Sequence, residues 1–383
     1  MKFDLPSDRE ASGRSLGDEE LVLLTEVIRS GSLNSNSGQM VRRFEVAFAD
    51  HCGMRHAIAC TSGSLAVQAA VFATTEGRRG EVVTSPITDF GALTAILYED
   101  MKPRFCDVDP DTLVPTATCI ERVLRDDTRA VIATHLFGHP AEVDAIAALC
   151  RARGLPLIED AAQALGTFRA GRAAGTWGDL ATFSFQQSKH ITAGEGGVVV
   201  TDDAELARRV RLFVNKAWPY GEPDPDHLFR APNGRMSELQ AAVLLAQVAK
   251  LPALLERRRA SATALLDELS GVEGVRVAEL APGDLHGYWR IALIVDDAAG
   301  LAQRLQPLGI ACQPHYIGRP AFELRAFVEL GLSEERERFP GAVRGLDAAL
   351  VLPWNEGIDP DLACAVGQSI AGEARAMLGE VVP

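Results

Sequence analysis

The stretch FSFQQSKHITAGEGG, residues 183–197, carries Lys189 out of an apolar, strand-like run and into a glycine turn. A lysine so placed is either a snorkelling surface residue or a buried amine whose pKa desolvation has lowered, and amines of the second kind form Schiff bases. Two further stretches offer polar groups such a lysine could work with. In CTSGSLAVQAA, Thr61, Ser62, Gly63 and Ser64 lie between a strand and the start of a helix. Free backbone N–H groups, hydroxyls and the helix dipole there can cradle a phosphate, although the same residues also read as an ordinary serine N-cap with a glycine turn. In LIEDAAQALG, Glu159 and Asp160 end a strand and Gln163 follows. A carboxylate at that point can hold a cationic ring nitrogen and the amide another edge of the same ring, or Asp160 can simply cap a helix.

Elements must bring these residues together. RHAIACTSG gives way to the helical SLAVQAAVFATT, EVVTSP to GALTAILYED, and RAVIATHLFG to AEVDAIAALCRARG; LPLIEDAA, LATFSF and GGVVVTDD follow. That alternation predicts crossover units on a mostly parallel sheet, hence a three-layer α/β/α domain over residues 20–250. Beyond the long helical stretch MSELQAAVLLAQVAKLPALLERRRASATALLDELS, the runs GVRVAEL, YWRIALIVDD, AAGLAQRLQPLG and IACQPHY predict a smaller α+β domain over residues 251–383, with residues 1–19 packed against it. The one long irregular segment is NKAWPYGEPDPDHLFRAPNG. Ligands bind at the carboxyl ends of strands in open α/β sheets, and all three polar stretches fall at such ends. A phosphate cradle, an acid for a ring nitrogen and a lysine for an aldehyde are together what pyridoxal phosphate requires.

Bulk properties narrow the alternatives. A chain of 383 residues, 47% of them apolar, can bury a large core, and no apolar run approaches the roughly 18 residues of a membrane span. The N-terminal MKFDLPSDREASGRS lacks the form of a signal peptide, so the expected location is the cytoplasm. The formal charge of -14 opposes nucleic-acid binding, and neither nucleic acid nor membrane is an expected partner. Seven cysteines without metal-ligand spacing read as ordinary thiols, and no metal is expected.

The segments TSGSLAVQAA, HLFGHPAEVDAI, LIEDAAQALG, GDLATFSFQQSKHITAGEGGVVVTDD and NGRMSELQAAV together resemble the DegT/StrS family of sugar and cyclitol aminotransferases, of the aspartate aminotransferase fold (fold type I). The likeness runs from about residue 20 to LPWNEGIDP. It implies that Lys189 carries pyridoxal phosphate as an internal aldimine, that Asp160 pairs with the pyridine nitrogen and that Gln163 lies near the ring hydroxyl. Gly63, Ser64 and Ser184 are then expected at the phosphate, and Asn233 at the phosphate of the neighbouring subunit, giving a homodimer with shared active sites. Phe90, in the segment SPITDFGALTAIL, is the expected aromatic on the cofactor's outer face. His135, Lys216, Trp218, Tyr220, Arg235, His315 and Tyr316 are candidates for the substrate, and Arg230, Arg290 and Arg319 for a phosphate on it. The implied reaction moves an amino group from glutamate or glutamine to a keto group of a sugar, nucleotide-activated in the expected case, or of a cyclitol, with ping-pong kinetics.

Two other readings compete. A relative that replaces the lysine by histidine dehydrates sugars with pyridoxamine phosphate, but here the histidine is the next residue, His190, and the lysine stays. A non-catalytic ligand sensor would be expected to lack one of Lys189, Asp160 or Ser184, and all three are present.

Overall fold

The computed structural model describes residues 2–314 and 317–379. Strands β1 (His56–Cys60), β2 (Glu81–Thr84), β3 (Lys102–Phe105), β4 (Thr128–Thr134) and β5 (Leu157–Asp160) alternate with helices. The hairpin β6 (Phe168–Arg169) and β7 (Arg172–Ala173) precedes β8 (Leu180–Ser184) and β9 (Gly197–Thr201). Seven strands form one sheet in the order β1-β9-β8-β5-β4-β2-β3. Neighbours pair in parallel from β8 through to β3, as the repeated crossovers predict. Strand β9 is antiparallel to both its neighbours. The connection from β8 to β9 is the lysine turn itself, with no helix to carry a crossover, so the chain reverses directly.

The central strands are buried on both faces: every residue of β2, β5, β8 and β9 lies in the interior. This matches their lack of alternation and the helices over them. On one face α3 (Gly63–Thr75) and α7 (Ala204–Val214) close a core around Ile58, Val67, Val199 and Phe213. On the other, α1 (Asp18–Ser30), α2 (Met40–Cys52) and α8 (Glu238–Leu269) meet Phe44, Phe48, Phe183 and Phe185. Helix α8 starts with a capping box between Ser237 and Gln240. Its buried Glu238 accepts the Met40 N–H at 2.6 Å and the Val41 N–H at 3.2 Å, tying the start of α2 to it. By length and composition α8 could cross a membrane, yet it packs against α1, α2 and the helix Pro360–Met377, as a core helix does.

Helix α8 runs unbroken through residues 250 and 251, so the division expected there falls inside a helix. Beyond it, β10 (Val275–Val277), β11 (Arg290–Val295), β12 (Gln313–Pro314) and β13 (Ala349–Pro353) form a second, antiparallel sheet in the order β10-β11-β13-β12. Strand β13 has no counterpart among the strands expected from sequence, because its short apolar run shows no alternation. The N-terminal segment lies on this sheet: Phe3 donates to the Leu308 carbonyl at 2.8 Å, and Asn355 Nδ2 donates to the Pro6 carbonyl at 2.8 Å.

Candidate active site

Strands β5 and β8 are parallel neighbours, with Asp160 opposite Thr182, so the polar groups at both strand ends open to one side. A cavity of about 700 Å³ lies there, lined by Ser64, Asp89, Asp160, Gln163, Ser184 and Lys189 among others. Helix α3 points its N-terminus at it. Ser62 caps that helix, accepting from the Leu65 N–H at 3.2 Å, so the capping reading holds for Ser62 while Gly63 and Ser64 face the cavity.

Lys189 is 9% exposed and, among the described residues, forms no ion pair. Its Nζ stands over the Trp289 ring, 4.1 Å from the centroid. Burial brings its pKa down to about 8, against the attraction of Asp160 and Asp89 and with a smaller push from Arg290. Asp160 is raised above the ordinary carboxylate value, chiefly by burial, while the Ala162 N–H and Lys189 pull it back. No helix follows Asp160; its Oδ1 accepts from Ala162 N–H at 3.1 Å in a tight turn.

The two neighbouring acids of LIED part company because successive side chains on a strand point to opposite faces. Glu159, fully buried, accepts the N–H groups of Gly175, Trp177 and Gly178 at 2.6–2.8 Å and pairs with His135 Nε2 at 3.0 Å. Its lone pairs are taken up, which leaves Asp160 as the strand-end acid that can meet a ligand. His135 is likewise internal: its Nδ1 accepts from the Ala141 N–H at 3.1 Å, so its proton sits on Nε2 toward Glu159. His135, expected near the substrate, does not line the cavity and belongs to this buried network. Gln163 does line it, with Oε1 held by the Phe137 N–H at 2.7 Å and its amide nitrogen left for a ligand.

The phosphate cradle is tight. A Cβ on Gly63 would sit 2.7 Å from Ser184 Cβ, closer than real side chains approach, so only glycine lets the helix start and the strand end converge. The Ser64 and Ser184 hydroxyls and the first free N–H groups of α3 then face one concave surface that suits a phosphate. A buried amine, a buried acid and this cradle within one cavity fit pyridoxal phosphate.

Phe90 also lines the cavity, but its ring is 40% exposed and meets Phe327 edge-on, 5.9 Å between centroids, while Asp89 precedes it on the same wall. Asn233, Lys216 and Trp218 lie in the long irregular segment and Arg235 directly follows it, and none of the four lines the cavity of its own chain. Asn233 is exposed, Arg235 binds Asn215 Oδ1 at 2.6 Å, and Trp218 packs on Tyr220 and His227. Arg230 lies beside Glu99 in a separate depression, and Arg319 is exposed. His315 and Tyr316 lie outside the described residues. Sequence reasoning missed Asp89 and Trp289, although each stands next to a residue it named, Phe90 and Arg290.

A GDP-perosamine synthase of Caulobacter vibrioides (strain ATCC 19089 / CIP 103742 / CB 15) is 35% identical over 252 residues, 65% of this chain and 66% of that protein. An L-glutamine:2-deoxy-scyllo-inosose aminotransferase of Streptomyces paromomycinus is 38% identical over 63% of this chain and 59% of its own length, so both matches span less than two thirds of those relatives. The structure of S. venezuelae DesV in complex with a ketimine intermediate superposes with a TM-score of 0.86 at 29% identity, covering 96% of this chain and 95% of that one. The sequence model of the DegT/DnrJ/EryC1/StrS aminotransferase family matches residues 14–371. The chain belongs to that family, and is an aminotransferase whose cofactor is pyridoxal phosphate.

Proposed function

We propose that this aminotransferase takes an amino group from glutamate or glutamine and delivers it to a keto group on a sugar, a nucleotide-activated one in particular, or on a cyclitol. The observation that carries the reading is the meeting of Lys189, Asp160 and the Gly63–Ser184 cradle in one cavity. The relatives that act on a nucleotide-linked sugar and on a cyclitol support the acceptor class.

In this reading Gly63, Ser64 and Ser184 bind the phosphate, Gln163 orients the ring through its amide, and Asp160 holds a proton at the ring nitrogen. The cofactor, when bound, supplies an aldehyde for the amine and an electron sink for the carbon that loses its proton. Lys189 Nζ would hold the cofactor's aldehyde carbon and, when free, would serve as the acid and base that moves a proton at the donor carbon. Its lowered pKa keeps a useful fraction neutral near pH 7–8, and Trp289 stands on one side of it as an apolar wall. Donor and acceptor use the same cavity in turn, which gives ping-pong kinetics.

The test is the absorbance spectrum of the purified protein before and after glutamate or glutamine, with Lys189→Ala beside it. A cofactor band that either donor bleaches, with no lysine adduct in the variant, is the expected result. No band after incubation with pyridoxal phosphate would overturn the assignment of Lys189. A band that neither amino acid changes would overturn the assignment of the donor.

A further inference from the structure

The carbonyls of the lysine turn are held by side chains from outside its sheet. Arg14 Nη1 donates to the Lys189 carbonyl at 2.7 Å and its Nη2 to the Gln187 carbonyl, while Trp289 Nε1 donates to the Ser188 carbonyl between them at 2.7 Å. Three successive carbonyls are thus taken up, two of them by one guanidinium, whose planar fork suits paired acceptors. The segment of residues 7–14 delivers it. A Cβ on Gly13 would lie 2.5 Å from the Ser7 carbonyl carbon, so glycine alone lets the segment fold back on itself there. Arg14 Nε then donates to the Asp8 carbonyl at 3.0 Å, and Gln187 Nε2 reaches that same carbonyl at 2.8 Å.

Ion pairing does not account for this arginine. Arg14, Arg258 and Arg290 are 8%, 0% and 8% exposed, and the carboxylates among them are those of Asp8 and Glu356. Arg258 Nη2 meets Glu356 Oε2 at 2.9 Å and Arg290 Nη2 meets Asp8 Oδ2 at 2.8 Å, so both acids are already matched. Arg290, expected at a phosphate on the substrate, is engaged in this way and lines a neighbouring cavity rather than the one that holds Lys189. Arg14 Nη1 stands 3.9 Å from Glu356 Oε1, which accepts no hydrogen bond among the described residues. It belongs to the third guanidinium on two carboxylates, and burial draws the Arg14 pKa below the ordinary value in spite of them. A buried cation without its own counterion is costly. An aliphatic side chain at position 14 would leave the charges even, so what the guanidinium supplies is its donors.

Those donors bear on the reacting amine. The amine of an extended lysine lies about 6 Å from its Cα, so a tilt of about 10° in the turn carries it about 1 Å. Misplacement by about 1 Å can cost about a hundredfold in rate. We propose that Arg14 is a positioning residue for the reaction: by holding the Gln187 and Lys189 carbonyls it fixes the turn, and with it the place of the Lys189 amine over Trp289. The assignment rests on the reading of Lys189 as the lysine that meets the cofactor.

Methylation with limiting formaldehyde and cyanoborohydride tests it, on the full-length chain freed of cofactor, because only a neutral lysine amine reacts; mass spectrometry gives the extent at each lysine from about pH 6 to about pH 11. The charged groups facing the amine, Asp160, Asp89 and Arg290, are unchanged in the variants, and the adjoining His190 is kept neutral by burial. In wild type the Lys189 midpoint is expected at about 8. In Arg14→Met it is expected to rise by at least about one pH unit, because a turn set loose lets the amine reach water. Arg14→Lys, which keeps the charge and one donor, is expected to rise less. Lys250 distinguishes positioning from packing: its Nζ donates to the Ser15 carbonyl at 3.0 Å, so its midpoint moves if the segment comes away and stays level if only the guanidinium's hold is lost. In the holoenzyme at saturating donor, the rate at which glutamate or glutamine bleaches the cofactor band is expected to fall at least about tenfold in Arg14→Met, with the half-saturating donor concentration level. An unmoved Lys189 midpoint, Lys189 and Lys250 midpoints that move together, or a loss confined to the half-saturating concentration overturns the proposal. If Arg14→Met does not fold, Arg14→Lys decides on the same criteria. A Lys189 midpoint that depends on Arg14, in a chain that takes up no pyridoxal phosphate, upholds the hold on the turn and overturns the cofactor reading instead.

Discussion

Lys189 can act because it is costly to keep charged where it lies. Burial is the largest influence on its pKa, and the attraction of Asp160 and Asp89 only partly restores it, leaving a value of about 8. Between that value and the ordinary lysine value the folded chain holds a neutral amine while the unfolded chain still binds the proton. The cofactor-free protein therefore gains stability as pH rises through this window, and below about pH 8 it bears the whole penalty. Lys189→Met is expected to be more stable than cofactor-free wild type at pH 7, with the difference shrinking toward pH 10. Urea denaturation of both at several pH values measures this, and a pH-independent difference would contradict the assigned environment. Asp160 moves the other way, upward, for the same reason of burial.

Among the elements, the pair of strands β4 and β5 does most to hold the site. Thr134 and Asp160 are opposite in the parallel ladder, and the His135 N–H donates to the Asp160 carbonyl at 3.1 Å. Glu159 fastens the back of this strand end by taking three backbone N–H groups from the 175–178 turn together with His135. Glu159→Gln keeps the size but faces an amide N–H2 toward donors and removes the charge that strengthens each bond. A loss of about 1–3 kcal/mol in denaturant unfolding is expected, because a buried polar group is left short of partners. An unchanged midpoint would mean that the network carries no stability. The lysine turn, by contrast, is held from outside its own sheet: Arg14 reaches the Lys189 carbonyl at 2.7 Å, and Trp289 Nε1 donates to the Ser188 carbonyl at 2.7 Å.

At the scale of the whole molecule, one chain does not bring the long irregular segment to its own cavity, and Asn233 faces outward. Leu21, Val22 and Ile28 on α1 and Val46 on α2 are exposed apolar residues beside a broad groove formed with α8. We propose that this side meets a second copy and that Asn233 serves the partner's phosphate site. Mixing then has a definite outcome. A dimer of one Lys189→Ala chain and one Asn233→Ala chain has one site lacking both residues and one lacking neither. Co-expression of two inactive variants at equal levels is expected to restore about a quarter of wild-type sites, as random pairing of a symmetric dimer requires. No recovery of turnover in the mixture, with each variant inactive alone, would exclude a shared site.

Lys189, Ser184, Asp160, Gln163 and the Gly63 turn were legible in the chain because each sits at a strand end within a few residues of its signal. Residue type, a glycine and an apolar run suffice to announce such a position, and the repeated strand–helix order announces the sheet that aligns them. The antiparallel course of β9 and the strand at residues 349–353 were not legible, since pairing direction and a short apolar run depend on what lies alongside. The site residues drawn from distant parts of the chain were hidden for a related reason. Trp289, Arg14, Arg258 and Glu356 carry no local pattern that joins them, and Arg290 was expected only at a phosphate on the substrate. Their shared position, and the charge imbalance it creates, arises only when the N-terminal segment, helix α8 and the second sheet pack against the lysine turn and exclude water from the charges between them.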